Sequence, residues 1–324
     1  MATNRHLFIA LLGAALALAA CARDIPYATL KAKYASPASR FATLPDGVTV
    51  HYRDQGNAAG PPIVMVHGFA ANLDAWEPWV ARLGNDYRII SLDLPAHGLT
   101  TVPTGYQVST DGQVEVVDQL TKVLKVDRFA LAGNSMGGGM AWHYALAHPG
   151  QLTALILVDS AGMPTAPKAG ENKREGPPLV FSLMRNPVGR AMLRKINPRP
   201  LAEKGLKQAY VDESLVTPAL VDRYADLALA PGHRDLLLAG QSQQRTPATA
   251  ATFKAILTPT LVMHGEADTV IPVEAGKALA AVIPGAKLIV YPGVGHVPME
   301  QIPDKSAADI KAFLQGLEPA SAIK

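Results

Sequence analysis

One serine lies in a context that could make it a nucleophile. Residues 133–137 read Gly-Asn-Ser-Met-Gly, which places Ser135 at the centre of a G-x-S-x-G pattern. A short, mostly apolar run at 128–132 precedes it, and a stretch rich in helix-forming residues follows at 140–148. A strand, a tight turn flanked by glycines and a helix predict a nucleophile elbow. We therefore expect Ser135 Oγ to project from the sheet edge above a helix N-terminus, where negative charge is favoured, instead of only capping the helix.

A serine hydroxyl needs a base within hydrogen-bond reach, and the base needs an acid that orients it. In elbow-type enzymes the chain order is serine, acid, histidine. His296 lies in a Gly- and Pro-rich loop after the apolar run 287–290, and Asp268 follows the apolar run 260–263. Both positions are at the carboxyl ends of predicted strands, where open α/β sheets bind ligands. We expect Ser135, Asp268 and His296 to form a catalytic triad.

Other side chains compete for the role of the acid. Asp159 also ends a predicted strand and could reach the same imidazole, Glu266 is two residues from Asp268, and Asp93 lies upstream of the serine. The chain order favours Asp268 over these three. His264 is the rival histidine, which we interpret as a strand-end residue that structures its loop.

The oxyanion of an acyl-transfer reaction needs two hydrogen-bond donors. The backbone N–H of Met136 is one by its position after the serine. The second is expected from the loop after the apolar strand 63–66, where His67 and Gly68 permit a tight turn and the N–H of Phe69 can face the site. The oxyanion hole is therefore predicted at Phe69 and Met136.

Short apolar runs alternate with amphipathic stretches along most of the chain. Predicted strands lie at 41–43, 48–53, 63–66, 88–92, 128–132, 155–158, 260–263 and 287–290, and predicted helices at 72–83, 109–124, 140–148 and 303–314. The first two strands flank a Pro-Asp-Gly turn and predict a hairpin. The alternation predicts an α/β fold with a mostly parallel sheet that helices cover on both faces.

The alternation of predicted strands and helices stops between residues 163 and 246. A polar loop rich in Gly and Pro at 168–178 precedes helical patterns only, at 179–193, 201–210, 218–229 and 233–241. We predict an all-helical insertion that caps the catalytic face; the alternative is a helical layer remote from the site.

The amino terminus resembles an export signal. Arg5 and His6 precede an apolar run at 7–20, which is shorter than the ~20 residues that a membrane-spanning helix needs. Small residues lead to Cys21, the only cysteine, in a pattern similar to that of bacterial lipoproteins. We expect export and a membrane anchor through acylated Cys21; the alternatives are an ordinary secretory peptide and an uncleaved anchor.

The composition, with 48% hydrophobic and 18% charged residues, indicates one enzyme-sized globular unit. A net charge of +3 without a basic stripe argues against nucleic-acid binding. The scattered histidines predict no metal site, and the glycines of the elbow do not match G-x-G-x-x-G, so no cofactor is predicted. The predicted organisation is a signal peptide at 1–21, a tether at 22–40, a core at 41–162, a cap at 163–246, a second core part at 247–317 and a tail at 318–324.

Five motifs together resemble the α/β-hydrolase superfamily. They lie at 67–69 (His-Gly-Phe), 93–98 (Asp-Leu-Pro-Ala-His-Gly), 133–137, 265–268 (Gly-Glu-Ala-Asp) and 295–296 (Gly-His). The elbow is similar to that of capped bacterial esterases and lipases, and also to that of hydrolases that cleave carbon–carbon bonds in ring-fission products. A serine at the nucleophile position argues against dehalogenases and epoxide hydrolases of this fold, which carry Asp there. Ala96 stands where relatives often carry Gly.

Three functions follow as hypotheses. The leading one is a serine esterase that acts on an apolar or acyl ester; its oligomeric state is left open. The second uses the same triad to cleave a carbon–carbon bond in a vinylogous diketone acid, and predicts that Arg185, Arg190 or Arg194 lines the pocket to bind the carboxylate. The third is a catalytically silent lipoprotein that binds an apolar ligand.

Overall fold

An eight-stranded sheet forms the centre of the computed structural model, which describes residues 22–163, 179–240 and 248–317. The strands are β1 (Ser39–Thr43), β2 (Thr49–Gly56), β3 (Pro62–Val66), β4 (Arg88–Leu92), β5 (Phe129–Asn134), β6 (Leu152–Val158), β7 (Thr260–Gly265) and β8 (Lys287–Tyr291). Their order across the sheet is β1-β2-β4-β3-β5-β6-β7-β8. The β1–β2 and β2–β4 pairs are antiparallel, and all other pairs are parallel. The predicted mostly parallel α/β fold is confirmed.

Thirteen α-helices connect and flank these strands in the described part of the chain. They are α1 (Tyr27–Tyr34), α2 (Glu77–Leu83), α3 (Thr110–Val123), α4 (Met136–Ala147), α5 (Leu179–Met184), α6 (Pro187–Leu193), α7 (Arg199–Ala209), α8 (Pro218–Ala228), α9 (His233–Gly240), α10 (Ala250–Lys254), α11 (Val273–Val282), α12 (Pro298–Gln301) and α13 (Pro303–Gln315). Short 3₁₀ turns at Leu73–Trp76 and Glu213–Leu215 precede α2 and α8.

The central strands are apolar throughout because helices cover the sheet on both sides. In β3, Val64 and Val66 belong to one hydrophobic cluster, whereas Ile63 and Met65 belong to the cluster on the opposite face. All four side chains are at most 1% exposed. Because successive side chains of a strand point to opposite faces, this fully apolar run supplies both cores at once.

The segment between β6 and β7 contains helices α5 to α10 and, among its described residues, no strand. The predicted helix at 179–193 is two helices in the structure. Asn186 caps α6 by accepting a hydrogen bond from the N–H of Gly189 at 2.6 Å, and Pro187 lacks the N–H that a continuous helix would require. The predicted loop at 168–178 lies outside the described residues.

The amino-terminal segment differs from the predicted tether at 22–40. Residues 27–34 form α1, and Leu30 is buried in a cluster with Leu99, Leu227 and Ala230. The sequence pattern does not indicate this helix, because one buried leucine is not a periodic pattern. The export signal and acylation of Cys21 stay predictions, since residues 1–21 lie outside the described part. Within residues 22–163, 179–240 and 248–317, no helix is long and apolar enough to cross a membrane.

A buried carboxyl group lies where the helical insertion meets the core. Burial raises the pKa of Glu300 from its ordinary 4.5 to about 7, although the Tyr210 hydroxyl and the charge of Arg223 lower it. The folded protein therefore binds more protons than the unfolded chain between these pH values, and stability falls as the pH rises through this window.

We expect Glu300→Gln to remove this pH dependence. Relative to the parent protein, the variant should gain about 2 kcal/mol in the free energy of unfolding between pH 5 and pH 8. Denaturant unfolding of both proteins at the two pH values measures this difference. An equal difference at both pH values would contradict the assignment.

Candidate active site

The turn between β5 and α4 holds Ser135 in a backbone conformation that few residues adopt. Its φ is 55° and its ψ is −116°. A Cβ atom on Gly133 would lie 2.3 Å from the carbonyl oxygen of Gly137, and a Cβ on Gly137 would lie 2.3 Å from that of Val66. Only glycine therefore fits at both flanking positions. This is the strained elbow geometry that the G-x-S-x-G pattern predicts, and such strain is common at functional sites.

His296 and Asp268 form a close buried pair. The distance between His296 Nδ1 and Asp268 Oδ2 is 2.7 Å, and both residues are 7% exposed. The other carboxylate oxygen of Asp268 accepts hydrogen bonds from the N–H groups of Val270 at 2.7 Å and Ile271 at 3.0 Å. Because Nδ1–H donates to the carboxylate, Nε2 of His296 is left as the proton acceptor of the ring.

Electrostatics keep Asp268 charged despite its burial. Burial alone would raise its pKa, but the charge and hydrogen bond of His296, together with those of His264, outweigh this effect and hold the pKa well below the usual range. A charged carboxylate stabilises the imidazolium that forms when His296 accepts a proton. The pair thus has the polarity that a general base requires.

Contacts from two sides fix the backbone of His296. Asn134 Nδ2, at the end of β5, donates to the carbonyl oxygens of His296 at 3.1 Å and Val158 at 3.2 Å. The N–H of His296 donates to the carbonyl of Ala209, at the end of α7, at 2.8 Å. A Cβ on Gly295 would lie 2.3 Å from the same Ala209 oxygen, so glycine permits this approach of the helical insertion.

Ser135 and His296 line the same cavity. Among the described residues, Ser135 Oγ makes no hydrogen bond to the His296 ring. Catalytic hydrogen bonds are often long in free enzymes and shorten when substrate binds. The structure therefore brings the three predicted side chains to one site, with the acid–base contact formed and the base–nucleophile contact open.

Two backbone N–H groups are available to form the predicted oxyanion hole. Within the described part of the chain, neither the N–H of Phe69 nor that of Met136 donates to a protein acceptor. His67 fixes the loop before Phe69: its Nδ1–H donates to the Gly68 carbonyl at 2.7 Å, and its Nε2 accepts from the N–H of Leu94 at 3.1 Å. Burial lowers the pKa of His67, so the ring is neutral, as this pair of contacts requires.

Asp93 and Glu266 do not contact His296. Asp93 accepts hydrogen bonds from the N–H groups of Leu73 and Leu99, each at 2.8 Å, and from His51 at 2.6 Å. It therefore organises the loop after β4. Glu266 is exposed.

Asp159 lies close to the site, but its pKa is shifted in the opposite direction from that of Asp268. It is fully buried, and one oxygen accepts a hydrogen bond from the N–H of Gly265 at 2.8 Å. Its other oxygen has no partner among the described residues. Burial and the nearby charge of Asp268 raise the pKa of Asp159 well above its ordinary value. These surroundings favour the protonated form of Asp159, which cannot stabilise an imidazolium as a carboxylate does.

The potential ligand atoms of Asp159, His264 and Asp268 lie within 4.8 Å of one another, a spacing that a metal ion could use. The donor set fits a hydrogen-bonded cluster better. Nε2 of His264 donates to the carbonyl of Ile271 at 2.9 Å, and Asp268 is engaged by His296 and two backbone N–H groups. His264 thus structures its loop, as the sequence suggests.

The cavity above Ser135 is apolar and is built largely from the helical insertion. Its lining from α5 to α9 includes Val180, Phe181, Met184, Leu193, Leu201, Leu206, Leu237 and Leu238. The insertion therefore covers the site, as a cap would. Phe69 also lines the cavity, and its ring lies 5.4 Å from that of Phe181.

The cavity contains an arginine, but not one of those that the sequence indicated. Arg185 and Arg194 are exposed, Arg190 donates to the carbonyl of Met184, and none of the three lines the cavity. Arg234 of α9 lines it instead. Nothing in the sequence distinguished Arg234 from other cap arginines, because it is one of several at helical spacing and its orientation depends on how the helices pack.

Comparison with known proteins agrees with this geometry. A family described as the alpha/beta hydrolase fold matches residues 61–302, which is most of the chain. The chain belongs to this family. The match includes Ser135, Asp268 and His296, so the whole candidate site of this hydrolase lies within the family region.

The relatives include proteins named for lipid ester hydrolysis and for hydrolysis of ring-fission products. This hydrolase is 29% identical to Lipase 1 of Psychrobacter immobilis over 280 residues, covering 85% of this chain and 84% of the lipase. It is 27% identical to a 2-hydroxymuconate semialdehyde hydrolase of Pseudomonas sp. (strain CF600), covering 85% and 93%. The crystal structure of a membrane phospholipase A, a bacterial virulence factor, superposes with a TM-score of 0.74 at 25% identity, covering 98% of each chain.

Proposed function

We propose that this hydrolase is a serine esterase that cleaves carboxylic esters with an apolar acyl group. One observation supports this most: Ser135, at a strained elbow, and His296, held by Asp268 at 2.7 Å, line one apolar cavity. The likeness to Lipase 1 and to the membrane phospholipase A supports an acyl ester as substrate.

The proposed reaction uses these groups in two half-reactions. His296 Nε2 takes the proton of Ser135 Oγ as the oxygen attacks the carbonyl carbon, and the N–H groups of Phe69 and Met136 stabilise the oxyanion. When the intermediate collapses, His296 gives the proton to the leaving alcohol and Ser135 keeps the acyl group. A water molecule then attacks the acyl-enzyme with His296 as base, which releases the acid and restores the serine.

A second candidate is carbon–carbon bond hydrolysis in a vinylogous diketone acid, with the same triad. The relationship to 2-hydroxymuconate semialdehyde hydrolase and one structural feature favour it. Arg234 lines the cavity, and its Nη1 is buried without a partner among the described residues. Its Nη2 pairs with Asp24 at 2.6 Å, which partly neutralises the charge that a substrate carboxylate would need.

A series of p-nitrophenyl esters of increasing acyl length tests the esterase proposal. Because the cavity is apolar, kcat/KM should rise about fourfold for each added CH₂ until the cavity is filled. The same enzyme should leave a ring-fission diketone acid largely intact, and Arg234→Leu should leave ester hydrolysis unchanged. Efficient cleavage of the diketone acid, lost in Arg234→Leu, with ester rates near background would favour the second candidate.

A further inference from the structure

Helix α6 has two apolar faces, only one of which is covered by other described residues of the chain. Its inner face includes Leu193, which is buried and lines the catalytic cavity. On the outer side, Val188 is 79% exposed, Met192 is 45% exposed, and Ala191 between them is also exposed. Positions 188, 191 and 192 have helical spacing, so these three side chains share one face. A thin helix thus separates the cavity from an exposed apolar surface.

Positive charge surrounds this surface. Arg185 and Lys195 lie one turn before and after the apolar residues, both are exposed, and neither makes an ion pair within the described part of the chain. Arg194 is next to Lys195 and pairs with Asp235 at 2.8 Å. Asp235 is thus the acidic group of α9 that faces this region, and a single carboxylate does not balance three cations.

The described part of the chain begins beside this surface, at Ala22. The N–H of Ala22 donates to the carbonyl oxygen of Lys195 at 2.8 Å, and the carbonyl of Ala22 accepts from Arg234 at 3.1 Å. In the sequence, the apolar residues 7–20 precede Ala22, which is held next to the end of α6.

We propose that the outer face of α6 docks on an anionic lipid bilayer. The docking face consists of Val188, Ala191 and Met192 with Arg185 and Lys195. Apolar side chains enter the interface between headgroups and acyl chains, and the cations attract anionic headgroups. Ala22, which follows the apolar run 7–20 in the sequence, lies at the same end of α6. The catalytic cavity then lies one helix diameter, about 10 Å, from the membrane surface.

The docking proposal rests on the proposed function and makes it more specific. The substrate is then a lipid ester that moves from a membrane into the catalytic cavity. A lipid needs to pass only α6 to reach a cavity lined by Met184, Leu193 and Ile196. Two observations favour a bilayer over a second copy of the chain as the partner. The cations Arg185, Arg194 and Lys195 would repel the same cations of a second copy, and Ala22 lies beside this surface.

The test uses the full chain with the double variant Val188→Glu/Met192→Glu. Its matched control is Val123→Glu/Leu257→Glu, which changes two residues that are 50% and 83% exposed. Both control residues precede parallel strands, β5 and β7, and so lie at the sheet edge away from the cavity. A charge-reversal variant, Arg185→Glu/Lys195→Glu, tests the electrostatic part separately.

Each protein is assayed on a soluble p-nitrophenyl ester and on a diacylglycerophospholipid in vesicles with or without phosphatidylglycerol. We expect the α6 double variant to lose about tenfold or more of its vesicle activity and to keep its soluble-ester activity. The charge reversal should remove the preference for phosphatidylglycerol, and the control should match the parent protein.

Two results would overturn the docking proposal while leaving the esterase proposal intact. One is unchanged vesicle activity in both the Val188→Glu/Met192→Glu and the Arg185→Glu/Lys195→Glu variants, with normal activity on the soluble ester. The other is a change in oligomeric state, seen by size-exclusion chromatography with light scattering, without a change in vesicle activity, which would identify a protein interface. Absence of soluble-ester activity in the parent protein would instead refute the proposed function.

Discussion

Ser135→Ala should reduce kcat for p-nitrophenyl esters by about 10⁶-fold, to the level set by binding and the oxyanion hole. Alanine has no oxygen to attack the carbonyl carbon. The flanking residues Gly133 and Gly137 have no side chain that could supply one, and no larger residue fits at either position. Folding should change little, because Ser135 Oγ makes no hydrogen bond within the described part of the chain.

Ser160→Ala is the matched control for this substitution. Ser160 follows β6 close to the elbow, and its hydroxyl donates to the carbonyl of Ala161 at 2.9 Å. We expect this variant to retain most of its activity, because Ser160 does not line the cavity. Steady-state rates of both variants measure the contrast. Substantial ester turnover by Ser135→Ala would contradict the assignment of the nucleophile, and a complete absence of turnover in the parent protein would favour a silent binding protein.

Asp268→Asn should reduce kcat by about 10⁴-fold, the size of effect seen when the acid of such a triad is replaced by its amide. The N–H groups of Val270 and Ile271 must continue to meet an oxygen, so the new NH₂ group would face His296. An NH₂ group donates, which forces Nδ1 of His296 to accept and places the ring proton on Nε2. In this tautomer His296 cannot take the proton from Ser135.

Asp159→Asn serves as the comparison for the acid. Burial favours the neutral form of Asp159, and an amide preserves its ability to accept from the N–H of Gly265. We expect a loss of no more than about tenfold, since one neutral hydrogen bond contributes about 1 kcal/mol. Parallel kcat measurements across pH decide between the two acids. A greater loss in Asp159→Asn than in Asp268→Asn would assign the role to Asp159.

The sheet could be predicted from sequence because its signals are local. Strands such as β3 and β5 are short runs of apolar residues between turn signals, and the eight predicted strands are all present. The elbow at Ser135 is local as well, since Gly133 and Gly137 are required by contacts within the same turn and with the adjacent β3 strand.

The remaining features depend on contacts between distant segments, which the sequence does not display. Asp159 and Asp268 both follow strands, and only their environments shift their pKa values in opposite directions. The choice of Arg234 over the other cap arginines follows from helix packing. The contact between Ala209 and His296 joins the cap to the site across 87 residues of sequence, with only Gly295 as a possible local signal.

Covalent labelling with a fluorophosphonate tests the central claim most directly, because this reagent traps a serine that a neighbouring base has activated. Peptide mass spectrometry of the labelled full chain identifies the modified residue. We predict one equivalent of label on Ser135, with labelling abolished by His296→Ala and by prior acylation with a slow ester substrate. Label on a different serine, or ester turnover that persists after complete labelling of Ser135, would contradict the account.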